Sequence, residues 1–217
     1  MDTLKEFNKK IYDRYMLCDN KEVLSSPNLV SSQRIENMVK PNPILYIGQE
    51  TNEWVNYNKE ITDITLDDIE KRYDEFLIDY GTTKTKFWLY ISKILDVDCS
   101  QLYKNMIWSN TYLFGNRYSK GTASLNEEEY NMSIENLTFL YKYFNPTYTI
   151  FVAGNNHVYE KAIKDFLKNI NSSLDKPERN NPIKIDTTNK VIWTYHPMRL
   201  NYIGEFNNTI DKIKALI

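Results

Sequence analysis

Ile44-Leu45-Tyr46-Ile47-Gly48-Gln49-Glu50-Thr51-Asn52 is the stretch that decides the fold. The apolar run Ile44 to Ile47 has no polar face, so it reads as a strand buried on both sides, the kind found in parallel sheets. It breaks at a glycine, and an amide, a carboxylate, a hydroxyl and a second amide follow at once. In open α/β sheets polar groups gather at the carboxyl ends of strands, where two such ends can face one crevice. The segment therefore predicts both a parallel α/β sheet and the rim of that sheet where chemistry belongs.

Similar runs recur downstream. Met106-Ile107-Trp108 ends at Ser109-Asn110-Thr111, Tyr148 to Ala153 ends at Gly154-Asn155-Asn156, and Val191-Ile192-Trp193 leads to Thr194-Tyr195-His196-Pro197. Helical spacing of apolar residues separates them. It covers Leu4 to about Met16, Ser31 to Val39 ahead of Pro41 and Pro43, Leu66 to Tyr80 with Gly81 as C-cap, and Lys86 to Leu95. It continues in Glu127 to Phe144, stopped by Asn145-Pro146, in Val158 to Ile170, and in Phe206 to Leu216. Ile183-Lys184-Ile185 faces Val191-Ile192-Trp193 across Asp186-Thr187-Thr188-Asn189-Lys190, which suggests a hairpin. Strands separated by helices imply βαβ units. The expectation is one three-layer α/β/α domain over 1–217, with 1–40 as a helical N-terminal extension. Its central, mainly parallel sheet has four strands: 44–47, 106–109, 148–153 and 191–195.

A formal net charge of −2 gives no global basic field, so nucleic-acid binding would need a local basic rim. Cys18 and Cys99 are the only cysteines; their spacing matches no metal knuckle and suits a reducing cytosol. The opening residues Met1 to Glu6 lack the apolar core of a signal peptide, and no apolar run nears the roughly 20 residues that span a bilayer. A cytoplasmic monomer without a membrane partner is expected.

The strand ends supply distinct chemistries. Glu50 can stabilise positive charge on a sugar and orient water, and His196 can donate a hydrogen bond to a carbonyl on which negative charge develops. Together they suit cleavage of a glycosidic bond. Asn110 offers a donor and an acceptor on one planar amide, fitting the Watson–Crick edge of a base. Gln49 could bind a base through backbone or side chain. Each cluster also has a plainer reading, as a turn or cap; His157, beside Asn156 at a helix start, is read only as a cap neighbour.

Four of these motifs, in order, resemble the uracil-DNA glycosylase superfamily over roughly residues 43–204. Ile47-Gly48-Gln49-Glu50 resembles its Gly-Gln-Asp motif, Trp108-Ser109-Asn110-Thr111 its strand ending in Asn-Thr, and Phe151 to Asn156 its third strand. Thr194-Tyr195-His196-Pro197-Met198-Arg199-Leu200 resembles its His-Pro-Ser-Pro-Leu loop. The resemblance implies a metal-free, cofactor-free, monofunctional glycosylase that acts on DNA, single- or double-stranded, with Glu50 and His196 as catalytic residues. Gly48, Gln49, Thr51, Asn52, Trp54 and Asn110 would hold the base, with Trp54 or Tyr57 stacking on it. Leu200 or Met198 would fill the vacated stack, with Arg199 on a phosphate and Arg117 and Lys120 as further cations by the cleft. The chain departs from the pattern at Glu50, one methylene longer than Asp. Thr51-Asn52 replace the usual Pro and aromatic or small residue, and the His-Pro loop lacks its serine and second proline. Uracil or a modified, bulkier or damaged base is the implied substrate. Two other readings stay open: a glycosylase-like fold that binds without cleaving, and an unrelated α/β enzyme such as a nucleoside hydrolase or small-molecule transferase. No P-loop, dinucleotide-binding turn or nucleophile elbow is present.

Overall fold

The computed structural model describes residues 2–50, 61–79, 85–118 and 123–217. Expectations for Thr51, Asn52, Trp54, Tyr57, Gly81 and Lys120 lie outside these residues. In chain order the elements are α1 (Leu4–Met16), α2 (Ile35–Met38), β1 (Ile44–Gly48), α3 (Leu66–Asp74), α4 (Lys86–Leu95), β2 (Met106–Asn110) and α5 (Glu127–Phe144). There follow β3 (Thr149–Phe151), α6 (His157–Asn169), β4 (Ile183–Asp186), β5 (Val191–Thr194), α7 (Pro197–Tyr202) and α8 (Phe206–Lys214).

The sheet has five strands in the order β2-β1-β3-β5-β4, not four. β2, β1, β3 and β5 run parallel, with Tyr46 opposite both Trp108 and Ile150, and Phe151 opposite Trp193. The extra strand is the hairpin partner β4, antiparallel to β5. Asp186 closes that turn by accepting from the backbone N–H of Thr188 (2.9 Å) and of Asn189 (3.0 Å), and Lys190 takes a left-handed φ of 55°. The segment before the turn is thereby folded back as the sheet's edge.

Every residue of the parallel strands is buried, which requires helices on both faces. Right-handed crossovers provide them. The path from β1 to β2 carries α3 and α4 on one face; the reverse path from β2 to β3 carries α5 on the other, where α6 packs on it. α7 and α8 return to pack on α4. The first 40 residues share the core: Leu4, Phe7, Ile11 and Tyr15 are buried, and the Phe7 ring lies flat on Phe139 of α5 at 3.8 Å. Asn8 of α1 donates to the carboxylate of Glu70 on α3 at 2.7 Å.

Local chemistry sets the helix ends. Asn126 and Glu129 form a reciprocal capping box at the start of α5, and Asn145 ends it in a left-handed conformation just before Pro146. α2 is shorter than the expected 31–39, because the Ser31 hydroxyl binds Asp74 and accepts from the backbone N–H of Gln33 and Arg34, a turn rather than a helix. The expected 66–80 helix is α-helical only to Asp74 and widens into a π-helical turn over Glu75–Asp79. At the outer edge of β2, the Tyr73 hydroxyl accepts from Trp108 N–H (3.1 Å) and donates to Trp108 C=O (2.6 Å).

Candidate functional site

In this strand order the chain leaves β1 toward β2 and then returns past β1 to β3. Between β1 and β3 lies the topological switch point, where helices diverge to opposite faces and leave a crevice at the carboxyl ends of the strands. Gln49 spans that crevice, its side-chain amide donating to the Ala153 carbonyl at 3.0 Å. The β1 end is fixed from the other side. Gly48 C=O accepts from the backbone N–H (3.0 Å) and hydroxyl (2.7 Å) of Thr111, and Gln49 C=O accepts from Tyr112 N–H (3.1 Å).

Glu50 follows directly, partly buried on the α6 side. Its Oε2 accepts a hydrogen bond from the hydroxyl of Tyr159, a buried residue of α6. The Tyr112 ring stands 5.8 Å from Tyr159 and adds a second aromatic wall. Burial raises the Glu50 carboxyl above its ordinary value, and the Tyr159 phenol pulls the other way.

His196 stands on the other flank, at the end of β5. Its ring stacks on Phe87 of α4 at 5.8 Å, and its Nδ1 accepts from Met198 N–H at 3.2 Å, which makes it the N-cap of α7. Burial lowers the imidazole's pKa below the ordinary 6.5, so the ring is neutral at pH 7. With Nδ1 an acceptor, the single ring proton belongs on Nε2. Phe87 also faces Gly48: a Cβ there would meet the Phe87 ring at 3.2 Å and Asn110 Oδ1 at 2.5 Å. Gly48, Phe87 and Asn110 thus form one close-fitting floor, with His196 at its margin. Gly154, at φ +82°, holds the β3 end, and its carbonyl accepts from Trp193 Nε1 at 2.8 Å.

Glu50, Gln49, Gly48, Asn110 and His196 therefore share one rim of the sheet. The exposed face of α7 carries Met198 (57% exposed) and Arg199, whose guanidinium lies 5.3 Å from the Tyr202 ring centre. Two expectations fail. Leu200 is fully buried and cannot act as a wedge, because the His-Pro segment is a helix that turns position 200 inward. Arg117 is only 7% exposed, too buried for a surface phosphate contact; its backbone N–H pairs with Val23 C=O at 2.9 Å, and its guanidinium lies 5.4 Å from the Tyr118 ring centre. Phe87, Tyr112 and Tyr159 are site residues that the strand-end pattern does not single out. A helix-start tyrosine after Asn155-Asn156 is the only hint of Tyr159. Among the described residues no three His, Cys, Asp or Glu side chains gather as metal ligands, and none of their helices is long and apolar enough to cross a membrane.

No protein-family model matches the chain, and no curated protein matches it. The site's chemistry thus rests on its own geometry: a carboxylate against two tyrosine rings on one flank, a neutral imidazole on the other, and a close-packed floor carrying an amide between them.

Proposed function

We propose that the protein hydrolyses the N-glycosidic bond of an extruded uracil or modified base in DNA, as a monofunctional glycosylase. The observation that carries this reading is the placement of Glu50 and a neutral His196 on two flanks of the switch-point crevice. As the bond breaks, positive charge grows on the sugar and negative charge on the base. Glu50 stabilises the first and orients the attacking water; the His196 Nε2–H donates to a base carbonyl and stabilises the second. A neutral imidazole suits this role, since it donates without having to lose a proton in the ground state. Asn110 binds the base edge, and the missing side chain at Gly48 makes room for the Asn110 amide and the Phe87 ring to close over the strand end.

Met198 and Arg199 on the exposed face of α7 are the DNA contacts this reading retains among the described residues. With Arg117 buried, a single phosphate contact corresponds to a salt slope of roughly −0.9 for duplex. Binding is then weak, and selectivity comes from the base in its pocket.

The test is incubation with oligonucleotides bearing uracil or a panel of modified bases, followed by alkali to cut at abasic sites. Strand breaks that disappear in Glu50→Gln support the reading. DNA binding with no breaks on any substrate favours a non-catalytic relative, and neither binding nor breaks leaves the crevice to a small ligand.

A further inference from the structure

Three phenols cluster behind Glu50, and their hydroxyls go to different places. Tyr112 donates to the Val158 carbonyl at 2.7 Å and Tyr130 donates to Asp165 at 2.6 Å. Tyr159 donates to Glu50. We propose that Tyr159 is a positioning residue for Glu50, holding its carboxylate at the crevice rim, within an aromatic pocket, by the O–H it donates to Oε2. The kinetic part of this proposal rests on the glycosylase reading above; the electrostatic part does not.

The physical argument starts from desolvation. A carboxylate walled by Tyr112 and Tyr159 loses water, and burial favours its protonated form. A protonated Glu50 could neither stabilise a cation nor accept a proton from water. One O–H donated to the carboxylate opposes this, because hydrogen bonds to ionised acceptors are the stronger kind. Tyr159 is well placed to hold that bond, being 3% exposed and standing on the first turn of a helix braced against α5. The bond engages Oε2 and leaves Oε1 outside that contact.

Among the described residues, the ionisable groups set against Glu50 are the phenols of Tyr159 and Tyr112, with His196 on the far flank of the crevice. Tyr112, from the turn after β2, is pushed up to about 12 by burial and by the carboxylates of Glu50 and Asp165. Farther back, Asp165 takes the Tyr130 hydroxyl, and the Lys161 ammonium lies over the Tyr130 ring at 4.1 Å. The acid side of a kinetic profile carries Glu50 together with His196, so only a signal assigned to Glu50 isolates its titration.

The experiment is a carbon-13 NMR titration of glutamate side-chain carboxyls in the full chain without substrate, with Glu50→Gln used to assign the signal. Tyr159→Phe keeps the ring and should move the Glu50 midpoint to higher pH. Replacing Tyr159 with 3-fluorotyrosine, a stronger donor that preserves the packing, should move it to lower pH; this variant decides the matter if the phenylalanine chain does not fold. Midpoints unchanged by these replacements overturn the proposal. In kinetics, Tyr159→Phe should lower kcat about tenfold at neutral pH with KM little changed, and should add no further loss in a Glu50→Gln background. An equal loss in both backgrounds would mean a purely structural role and would overturn the proposal. Shifted midpoints in a chain that releases no base would uphold Tyr159 and reject the glycosylase reading.

Discussion

The two rims of the sheet use polar atoms in opposite ways. At the amino rim they close turns. Ile44 N–H binds Asn105 C=O at 3.0 Å, Thr147 N–H binds Pro43 C=O at 3.1 Å, and the Thr147 hydroxyl donates to Asn42 C=O at 2.7 Å. Left-handed Asn42 and Asn145, at φ 52° and 42°, reverse the chain there, as asparagine tolerates better than most residues. At the carboxyl rim, side chains able to carry or lose charge are drawn into aromatic surroundings that disfavour charge: Glu50 beside Tyr159 and Tyr112, His196 against Phe87. Keeping ionisable groups where folding gains nothing from them is a mark of function.

That contrast can be broken by substitution. Glu50→Gln should cut base release by about a thousandfold, within the range for loss of a catalytic carboxyl group. Calorimetry should show the same variant more stable than the wild type at neutral pH. The sign follows from burial. The folded pKa of Glu50 lies above its ordinary 4.5, so its ionisation costs stability above that range, and the cost fades as pH falls and the group protonates in both states. If Glu50→Gln gives no gain at pH 7, or a gain that grows on acidification, Glu50 is not held against its preference.

Gly48→Ala tests the floor of the site. Its Cβ would collide with Asn110 Oδ1 at 2.5 Å, so the amide must move and base affinity should fall by at least about tenfold in KM, the loss expected when one polar contact goes unmade. A neutral result would show that the floor is not where the base lies. His196→Asn should lower kcat by about a hundredfold through loss of one donor to the leaving base. The acid side of the pH profile sharpens this. On the glycosylase reading, activity requires Glu50 ionised and His196 neutral, and burial displaces the two from 4.5 upward and 6.5 downward. The two titrations should therefore lie closer together than those of a free glutamate and a free histidine, read from kcat against pH. In stability, His196 acts opposite to Glu50, costing nothing at neutral pH and more as pH falls below 6.5. The smallest effect belongs to the amino rim, where Lys40→Ala should change stability by less than about 0.5 kcal/mol and leave kcat alone.

The strands and most helices are legible in the sequence because their signals are local. Apolar runs mark β1, β2, β3 and β5, and Asn126 with Glu129 and Asn145-Pro146 bracket α5. α7 resembles a loop in sequence, although proline at the first helical position after a capping residue is a start signal. The π-helical turn at Glu75–Asp79 has no such mark. The rim positions of Gly48, Glu50, Asn110 and His196 follow from strand ends, whereas Tyr159 meets Glu50 across 109 positions and only the fold reveals the pair. Arg117 misleads for a similar reason: its backbone pairs with the remote residue Val23, and only the fold shows that it is buried.

The Tyr73 hydroxyl on the flank of β2 has a consequence for how the chain behaves at high concentration. By accepting from Trp108 N–H and donating to Trp108 C=O, one side chain occupies both backbone groups that a stranger's strand would seek. The middle of the sheet's parallel border is thus occupied by a phenol, a guard against the edge-to-edge polymerisation to which open strands are prone.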